Sequence, residues 1–225
     1  MSREIRLAAA AQTLGLHLQE SDAAKLLAYL DLIAKWNKVY NLTAVRDPEE
    51  MLVQHLFDSL TVVGPLRRQT DGRAVRLLDV GSGAGLPGVV VAICCPDVQV
   101  DCVDTVGKKA AFIQQAAAQL QLPNLRGLHD RVEHVAGQYD VISSRAFASL
   151  PDFVSWSGHA LAEQGVWMAM KGKRPDAEIA DLPPQAEVFH VEQLAVPDLT
   201  AERCIVWMRK RSHAESSTGA AGSGR

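Results

Sequence analysis

The segment LLDVGSGAGLPG, residues 77–88, decides the fold of this chain. It has the pattern of a buried strand that runs into a glycine-rich turn and then into a helix. A second apolar run, Val98 to Val103, follows and ends in Asp104. A glycine turn followed about 20 residues later by an acidic residue is typical of a parallel sheet that binds an adenosine-containing cofactor. The sequence therefore predicts such a site and leaves the identity of the cofactor to be decided.

The spacing of the glycines distinguishes two classes of cofactor. A dinucleotide-binding turn has the form G-x-G-x-x-G, in which the third glycine lets the helix pack closely on the strand. Counted from Gly81, that third position is Leu86, and the glycines stand instead at Gly81, Gly83 and Gly85, after Asp79. This D-x-G-x-G-x-G pattern resembles motif I of class I S-adenosylmethionine (SAM) methyltransferases. The resemblance implies that SAM is the cofactor.

Asp104 is the candidate for binding the ribose of that cofactor. An ionised carboxylate offers two acceptor oxygens and can bind both ribose hydroxyls. Asp101 is the weaker candidate, because it lies within the predicted strand rather than at its end. The alternative for the whole segment is an ordinary turn with no ligand, and the acidic residue at the end of the second strand counts against it.

Length and composition predict one domain that carries a small extension. The chain has 225 residues, of which 48% are hydrophobic, and a net charge of −3, which argues against nonspecific coating of nucleic acid but permits a local basic patch. Its four cysteines form no C-x-x-C pair, so we expect no metal and no disulfide framework. Without a long apolar run or a secretory signal, we expect a cytoplasmic protein with no membrane partner.

The hydrophobic pattern changes from helical to alternating along the chain. Residues 4 to about 41 have helical periodicity with Ser21 as an N-cap, and Asp47 and Pro48 begin a further helix. From about residue 75, strand and helix patterns alternate, which predicts a parallel sheet with right-handed crossovers. We expect strands at 75–80, 98–103, 125–129, 139–143, 165–170, 186–191 and 203–209, the last two as an antiparallel hairpin. We expect helices between them at 87–94, 107–121, 131–136, 148–162 and 175–180.

These patterns predict an α/β fold in three parts. An N-terminal helical extension, residues 1–70, packs on a catalytic domain, residues 71–211. That domain has a Rossmann-like, doubly wound, mostly parallel sheet of seven strands, as in class I SAM methyltransferases. Residues 212–225 are mostly Ser, Gly and Ala, and we expect this tail to be disordered.

Short segments far apart in the chain together resemble one family. They are WNKVYNLTA at 36–44, HLFDSL at 55–60, GLPG at 85–88, DTVGKK at 104–109, RVE at 131–133 and SRAFA at 144–148. These segments resemble the RsmG (GidB) family of bacterial 16S rRNA guanine-N7 methyltransferases, and the resemblance covers about residues 20–210. It implies SAM-dependent methylation of one guanine, position 527 of the standard bacterial rRNA numbering, in the 530 loop. The implied partner is 16S rRNA, within the small ribosomal subunit or its precursor.

The expected cofactor-binding residues all follow the carboxyl ends of predicted strands, where open α/β sheets bind ligands. They are Gly81, Gly83, Gly85 and Leu86 after the first strand, Asp104 after the second, Val132 and Glu133 after the third, and Arg145 after the fourth. The resemblance implies SAM contacts for Gly81, Leu86, Val132, Glu133 and Arg145. For Arg145, a contact to SAM or guanine and an internal ion pair both remain open. For Glu133, the alternative is a surface charge.

The acceptor side is expected to use other residues. Arg145 and Asn41 are candidates for positioning roles in catalysis, and His55, Lys171, Lys173 and Arg174 are candidates for RNA binding. Basic residues after a strand can contact phosphates, which position RNA without reading its bases. For Asn41, His55 and Asp58, the alternatives of helix cap, core-edge histidine and salt-bridge partner remain open.

The sequence has no paired acid and base in these motifs, and this fits methylation of N7, which carries a lone pair and no proton. Three alternatives remain at this point. The first is a SAM methyltransferase acting on a small molecule or a protein. The second is a nucleotide-dependent oxidoreductase, against which Leu86 counts. The third is a SAM-binding ribosome-assembly factor without catalytic activity.

Overall fold

A computed structural model describes residues 1–211, so the tail expected to be disordered lies outside the described residues. In the described chain one sheet contains seven strands in the order β3-β2-β1-β4-β5-β7-β6. The strands are β1 Arg76–Val80, β2 Gln99–Asp104, β3 Leu125–His129, β4 Tyr139–Arg145, β5 Leu161–Lys171, β6 Ala186–Leu194 and β7 Arg203–Lys210. Strands β1 to β5 pair in parallel, and β7 runs antiparallel to both of its neighbours. The mostly parallel sheet and its closing hairpin are therefore confirmed.

Helices cover both faces of this sheet. They are α1 Arg3–Thr13, α2 Glu20–Tyr40, α3 Pro48–Met51, α4 Asp58–Leu60, α5 Val63–Thr70, α6 Gly88–Cys94, α7 Gly107–Gln119, α8 Leu150–Ser157 and α9 Asp176–Ala180. A π-helical segment, Leu52–Phe57, joins α3 to α4, and Val132–His134 form a single 3-10 turn. Within residues 1–211, no helix combines the length and the apolar character that crossing a membrane requires.

The order of the strands fixes where a ligand can bind. The chain winds outward from β1 to β3 on one side, and then returns to place β4 on the other side of β1. Such a reversal leaves a crevice beyond the carboxyl ends of the two central strands. The glycine turn after β1 and the SRAFA segment at the end of β4 therefore meet at this edge.

The N-terminal region departs from the expectation of one helix over residues 4 to 41. Gly15, with φ of +65°, follows α1, and a non-helical stretch separates it from α2. The N-cap of α2 is Gln19 rather than Ser21, which lies within the first turn. The expected cap at Asp47 is confirmed, since its carboxylate accepts from the backbone N–H groups of Glu49 and Glu50.

Two helices are shorter than their patterns predict. The helix expected at 131–136 is only the 3-10 turn Val132–His134. The helix expected at 148–162 begins at Leu150, where the Ser149 hydroxyl accepts from Asp152 N, and ends at Ser157. It ends early because Leu161 already pairs with Tyr139 as the first residue of β5.

The helices that precede β1 share a hydrophobic core with one face of the sheet. Leu26, Leu30 and Ile33 of α2 are buried in this core, and α2 packs on α6 and α7, which cover the same face. The hydroxyl of Tyr29 donates a 2.6 Å hydrogen bond to the carbonyl of Ala84, inside the glycine turn. The N-terminal helices therefore support the turn directly.

We expect Tyr29→Phe to lower the free energy of unfolding by about 1–3 kcal/mol, because it leaves the Ala84 carbonyl without a partner in a buried site. Urea denaturation measures this change. The matched control is Tyr40→Phe, which removes a hydroxyl from an exposed ring. A Tyr29→Phe protein as stable as the control would show that this hydrogen bond does not hold the turn.

Candidate active site

The glycine turn is open toward its outer side and closed toward the core. Gly83 has φ of +60°, and no atom of the described chain lies within 4 Å of the position of a Cβ there. Gly85 has φ of +89°, and a Cβ would lie 2.5 Å from Val89 Cγ2. A side chain at either position would strain the backbone, and at Gly85 it would also clash. Gly83 therefore faces a possible ligand, whereas Gly85 serves the packing of the turn.

A buried carboxylate holds the turn from behind. Asp79 is fully buried; its Oδ2 accepts from Gly88 N at 3.0 Å and its Oδ1 accepts from the Ser143 hydroxyl at 2.7 Å. Burial raises the pKa of Asp79 to about 6, although both hydrogen bonds favour the charged form. The side chain thus joins the start of α6 to β4, and it lies outside the cavities described below.

A cavity of about 350 Å³ lies beyond the carboxyl ends of the strands. It brings together four of the expected cofactor-binding residues from three separate segments: Gly81, Asp104, Val132 and Glu133. Their convergence follows from the order of β1, β2 and β3 in the sheet. We call this space the first cavity.

Asp104 has the geometry expected of a ligand-binding carboxylate. It is 7% exposed; its Oδ2 accepts from Gly83 N at 3.0 Å and its Oδ1 accepts from Val106 N at 2.9 Å. A carboxylate has about four acceptor positions, so further positions remain for a ligand. Asp101 differs, because Arg126 binds both of its oxygens at 2.7 Å and the Tyr139 hydroxyl donates to one of them.

Two aromatic residues that sequence reasoning missed also line the first cavity. The ring centroids of Phe147 and Trp156 lie 5.8 Å apart. Phe147 also packs against the glycine turn, since a Cβ at Gly81 would lie 2.2 Å from Phe147 Cδ2. Phe147 belongs to the SRAFA segment, so its position after β4 was the available signal. Trp156 lies in α8, and the sequence offered no comparable signal for it.

A second cavity, of about 300 Å³, adjoins the first at Gly81 and Ala146. Its lining contains Gly83 and Leu86 of the turn, together with His55, Asp58, Arg145, Lys171 and Arg203. A ligand that lies across Gly81 would extend from the first cavity into the second. The pair of cavities therefore suits two substrates that meet at the glycine turn.

One buried carboxylate pairs with two arginines at this second cavity. Asp58 is 2% exposed; its Oδ2 lies 3.0 Å from Arg145 Nη1 and its Oδ1 lies 2.8 Å from Arg203 Nε. Arg145 also donates to the carbonyl of Gln54 at 3.0 Å. The structure therefore contains the internal ion pair that was one alternative for Arg145 and for Asp58, while both arginines still border the cavity.

Arg203 is a cavity residue that sequence reasoning missed. It is the first residue of β7, and β7 runs antiparallel to β5. The start of an antiparallel strand lies at the edge where the parallel strands end. The predicted hairpin was therefore the signal that could have identified Arg203.

His55 is buried beside this cavity. Its Nε2 lies 2.9 Å from the Thr43 hydroxyl, and its Nδ1 has no hydrogen-bond partner among residues 1–211. Burial, followed by the positive charge of Arg145, lowers the pKa of His55 to about 4. The imidazole is therefore neutral near pH 7.

The remaining expected acceptor-side residues divide into two groups. Lys171 lines the second cavity, but its ammonium donates to the Ala148 carbonyl at 2.9 Å and to Glu178 Oε2 at 2.8 Å. Asn41, Lys173 and Arg174 lie outside both cavities. Asn41 follows the last residue of α2 at φ of +50°, and its N–H donates to the Asn37 carbonyl, as expected of a helix cap. Its side chain accepts from Arg46, and Arg174 pairs with Asp176. RNA binding by Lys171, Lys173 and Arg174 stays a prediction.

The lowered pKa of His55 predicts a dependence of stability on pH. The folded state disfavours the charged imidazole, so this stabilisation is complete above pH 6.5 and is lost as the pH falls toward about 4. In the wild type, His55 should therefore lower the free energy of unfolding by about 3 kcal/mol between pH 6.5 and pH 4. The His55→Gln variant should lack this decrease.

Urea denaturation at a series of pH values measures this difference. Asp79 titrates in the same range with the opposite sign, since its raised pKa makes stability fall as the pH rises. Asp79 is present in both proteins, so the difference between them isolates His55. The control is His17→Gln at an exposed position. If the free energy of unfolding changed with pH in the same way for His55→Gln and the wild type, the lowered pKa of His55 would be contradicted.

Solved structures share this fold at low sequence identity. TrmN from Thermus thermophilus matches with a TM-score of 0.56 and 19% identity, over 71% of this chain and 53% of that one. Magnesium protoporphyrin IX methyltransferase from Synechocystis PCC 6803, solved with bound SAM, matches with a TM-score of 0.57 and 14% identity, over 83% of this chain and 97% of that one. The sheet and its helices are therefore those of the SAM-dependent methyltransferase fold.

Relatives at much higher identity cover nearly the whole chain. The ribosomal RNA small subunit methyltransferase G of Paracidovorax citrulli is 63% identical over 96% of this chain and 93% of that protein. The protein of the same name from a Polaromonas species is 65% identical over 92% of this chain and 94% of that protein. The family described as rRNA small subunit methyltransferase G matches residues 22–206. This chain therefore belongs to the rRNA small subunit methyltransferase G family.

Proposed function

We propose that this chain transfers the methyl group of SAM to N7 of one guanine in the 530 loop of 16S rRNA, in the small ribosomal subunit or its precursor. The observation that carries this proposal is the junction of the two cavities at Gly81. One cavity suits the adenosine of SAM, and the other opens beside it for the base that accepts the methyl group.

The residues of the first cavity fit SAM. In this proposal Asp104 binds the ribose hydroxyls with its remaining acceptor positions, and Val132 and Glu133 lie beside the adenine with Phe147. Gly83, where no atom of the described chain lies within 4 Å of a Cβ position, leaves room for the methionine portion to pass from Gly81 toward the second cavity, which Leu86 also lines. SAM supplies an electrophilic methyl group on a positively charged sulfur.

The proposed reaction needs no proton transfer. The lone pair of guanine N7 forms the new N–C bond, the C–S bond breaks, and its electron pair stays on the sulfur. The positive charge moves from the sulfur to the guanine, and no proton leaves N7. Alignment of the two reactants can therefore supply most of the catalysis, up to about 7–11 kcal/mol in favourable cases.

The charges around the second cavity are compatible with a cationic product. The guanine becomes positively charged during the reaction, so concentrated positive charge beside it would raise the barrier. Asp58 compensates part of the charge of Arg145 and Arg203, and His55 remains neutral near pH 7. Arginine donors can then position the base or its phosphate with less net repulsion. Asn41 and Arg145 keep their proposed positioning roles.

We expect Asp104→Asn to weaken SAM binding about 10- to 100-fold, because hydrogen bonds from the ribose to a charged acceptor are replaced by weaker ones. Isothermal titration calorimetry measures the affinity. The matched control is Asp101→Asn, three residues earlier in β2, which should lower stability by about 1–2 kcal/mol and change SAM affinity less than about twofold. Equal affinities for Asp104→Asn and the wild type would exclude the ribose contact.

The proposed acceptor is tested in cells. 16S rRNA from a strain with this gene and from a deletion strain is treated to cleave the chain at N7-methylguanine. We expect one cleavage site, in the 530 loop, to be lost in the deletion strain and restored by the wild-type gene. Restoration by Asp104→Asn should be reduced. An unchanged cleavage pattern in the deletion strain would refute the proposed acceptor.

A further inference from the structure

An exposed cluster of aromatic, apolar and basic residues lies at the mouth of the two cavities. We call it the rim patch; it contains Val39, Tyr40, Arg46, Val106 and Lys108. Val39 is 70% exposed, Tyr40 is 42% exposed and Val106 is 44% exposed. The Lys108 ammonium lies 5.6 Å from the centroid of the Tyr40 ring, so the end of α2 meets the start of α7 here.

The rim patch adjoins both cavities. Val106 lines the first cavity. Leu42 and Thr43, which follow Tyr40 closely in the chain, line the second. Nucleotides that flank a base held in the second cavity would therefore lie within reach of the patch.

The patch is basic although the whole chain is acidic. Its members include the cationic residues Arg46 and Lys108 and no Asp or Glu, although Asp47 and Asp104 flank its segments in the chain, and the whole chain carries a net charge of −3. Lys109 lies 3.7 Å from the carboxylate of Asp104, so part of its charge is compensated. A local concentration of positive charge attracts the phosphates of a nucleic acid.

The aromatic ring at the centre of the patch is rigidly supported. Ring centroids are 5.1 Å apart for Tyr40 and Trp36, 5.4 Å apart for Trp36 and Phe112, and 6.3 Å apart for Phe112 and Tyr29. Tyr29 in turn donates to the Ala84 carbonyl of the glycine turn. A ring held by such packing loses little conformational entropy when a ligand stacks on it.

We propose that the rim patch binds single-stranded rRNA beside the target guanine, with one base stacked on Tyr40 and a neighbouring phosphate at Lys108. The inference rests on the proposed function and assigns it a second RNA-binding surface outside the cavities. Aromatic rings that stack bases, combined with cations that track the backbone, are typical of single-strand recognition. Lysine is depleted at protein–protein interfaces, which favours RNA over a protein as the partner.

The first test measures binding to small ribosomal subunits purified from the deletion strain. We expect Tyr40→Ala to weaken binding about tenfold and Tyr40→Phe to keep the wild-type affinity, because phenylalanine can still stack. We expect Lys108→Ala to reduce the slope of log K against log salt concentration by about 0.7–0.9, the value for one lost phosphate contact. SAM affinity, measured by calorimetry, should be unchanged in all three variants.

The chain contains a matched control at the opposite edge of the sheet. Phe189 is 38% exposed, and the guanidinium of Arg209 lies 5.6 Å from the centroid of its ring, beside the first residues of β5. Phe189→Ala removes a similar aromatic–cation pair far from both cavities, and we expect it to bind subunits as the wild type does. Equal affinities for Tyr40→Ala and the wild type, or equal losses for Tyr40→Ala and Phe189→Ala, would overturn the proposal.

A second test identifies the partner. A photoreactive substitution, Tyr40→p-benzoylphenylalanine, should crosslink to 16S rRNA near the target guanine. A crosslink to a ribosomal protein, or none to the subunit, would overturn the inference. Failure of the proposed function is separately visible, because wild-type protein would then form no N7-methylguanine on the same subunits.

Discussion

The rest of the site depends on one buried interaction, the pair of hydrogen bonds that the Asp79 carboxylate accepts. They join the start of α6 to β4 across the carboxyl end of β1, at 3.0 Å to Gly88 N and 2.7 Å to the Ser143 hydroxyl. Because the two segments are held together, the glycine turn can stay open at Gly83 while Gly85 packs against Val89. Burial raises the pKa of Asp79 to about 6, and these two hydrogen bonds limit the rise because they favour the charged carboxylate. Both cavities are bordered by residues that this connection positions.

The N-terminal helices complete the site as well as covering the sheet. Tyr29 binds the glycine turn, and Asp58 pairs with Arg145 at the end of β4 and with Arg203 at the start of β7. Loss of Asp58 would leave the two arginines without the carboxylate that they share, so the positions of both depend on Asp58. The acceptor side of the site is therefore built between the N-terminal helices and the sheet, whereas the SAM side is built from the carboxyl edge of the sheet and from helices that follow its strands. This division suits an enzyme whose methyl donor is shared by many families and whose acceptor is particular to its own.

The sequence predicted the features that arise from local pattern. The strands, the closing hairpin, the glycine turn and Asp104 follow from short periodicities and from the rule that ligands bind beyond the carboxyl ends of parallel strands. It did not predict the partners of buried polar groups, because Asp58 is separated in the chain by 87 residues from Arg145 and by 145 residues from Arg203. It also missed the break between α1 and α2, since apolar periodicity continues on both sides of Gly15. Trp156 was missed because an aromatic residue in a helix gives no sign of the cavity that it lines.

The acceptor atom of the methyl group can be identified by reconstitution. Purified protein is incubated with small ribosomal subunits from the deletion strain and with SAM that carries an isotopically labelled methyl group, and the digested rRNA is analysed by mass spectrometry. We expect the label as 7-methylguanosine in one fragment from the 530 loop of 16S rRNA. Label on another base, on another atom of guanine or on a ribosomal protein would contradict it, as would subunits that remain unlabelled.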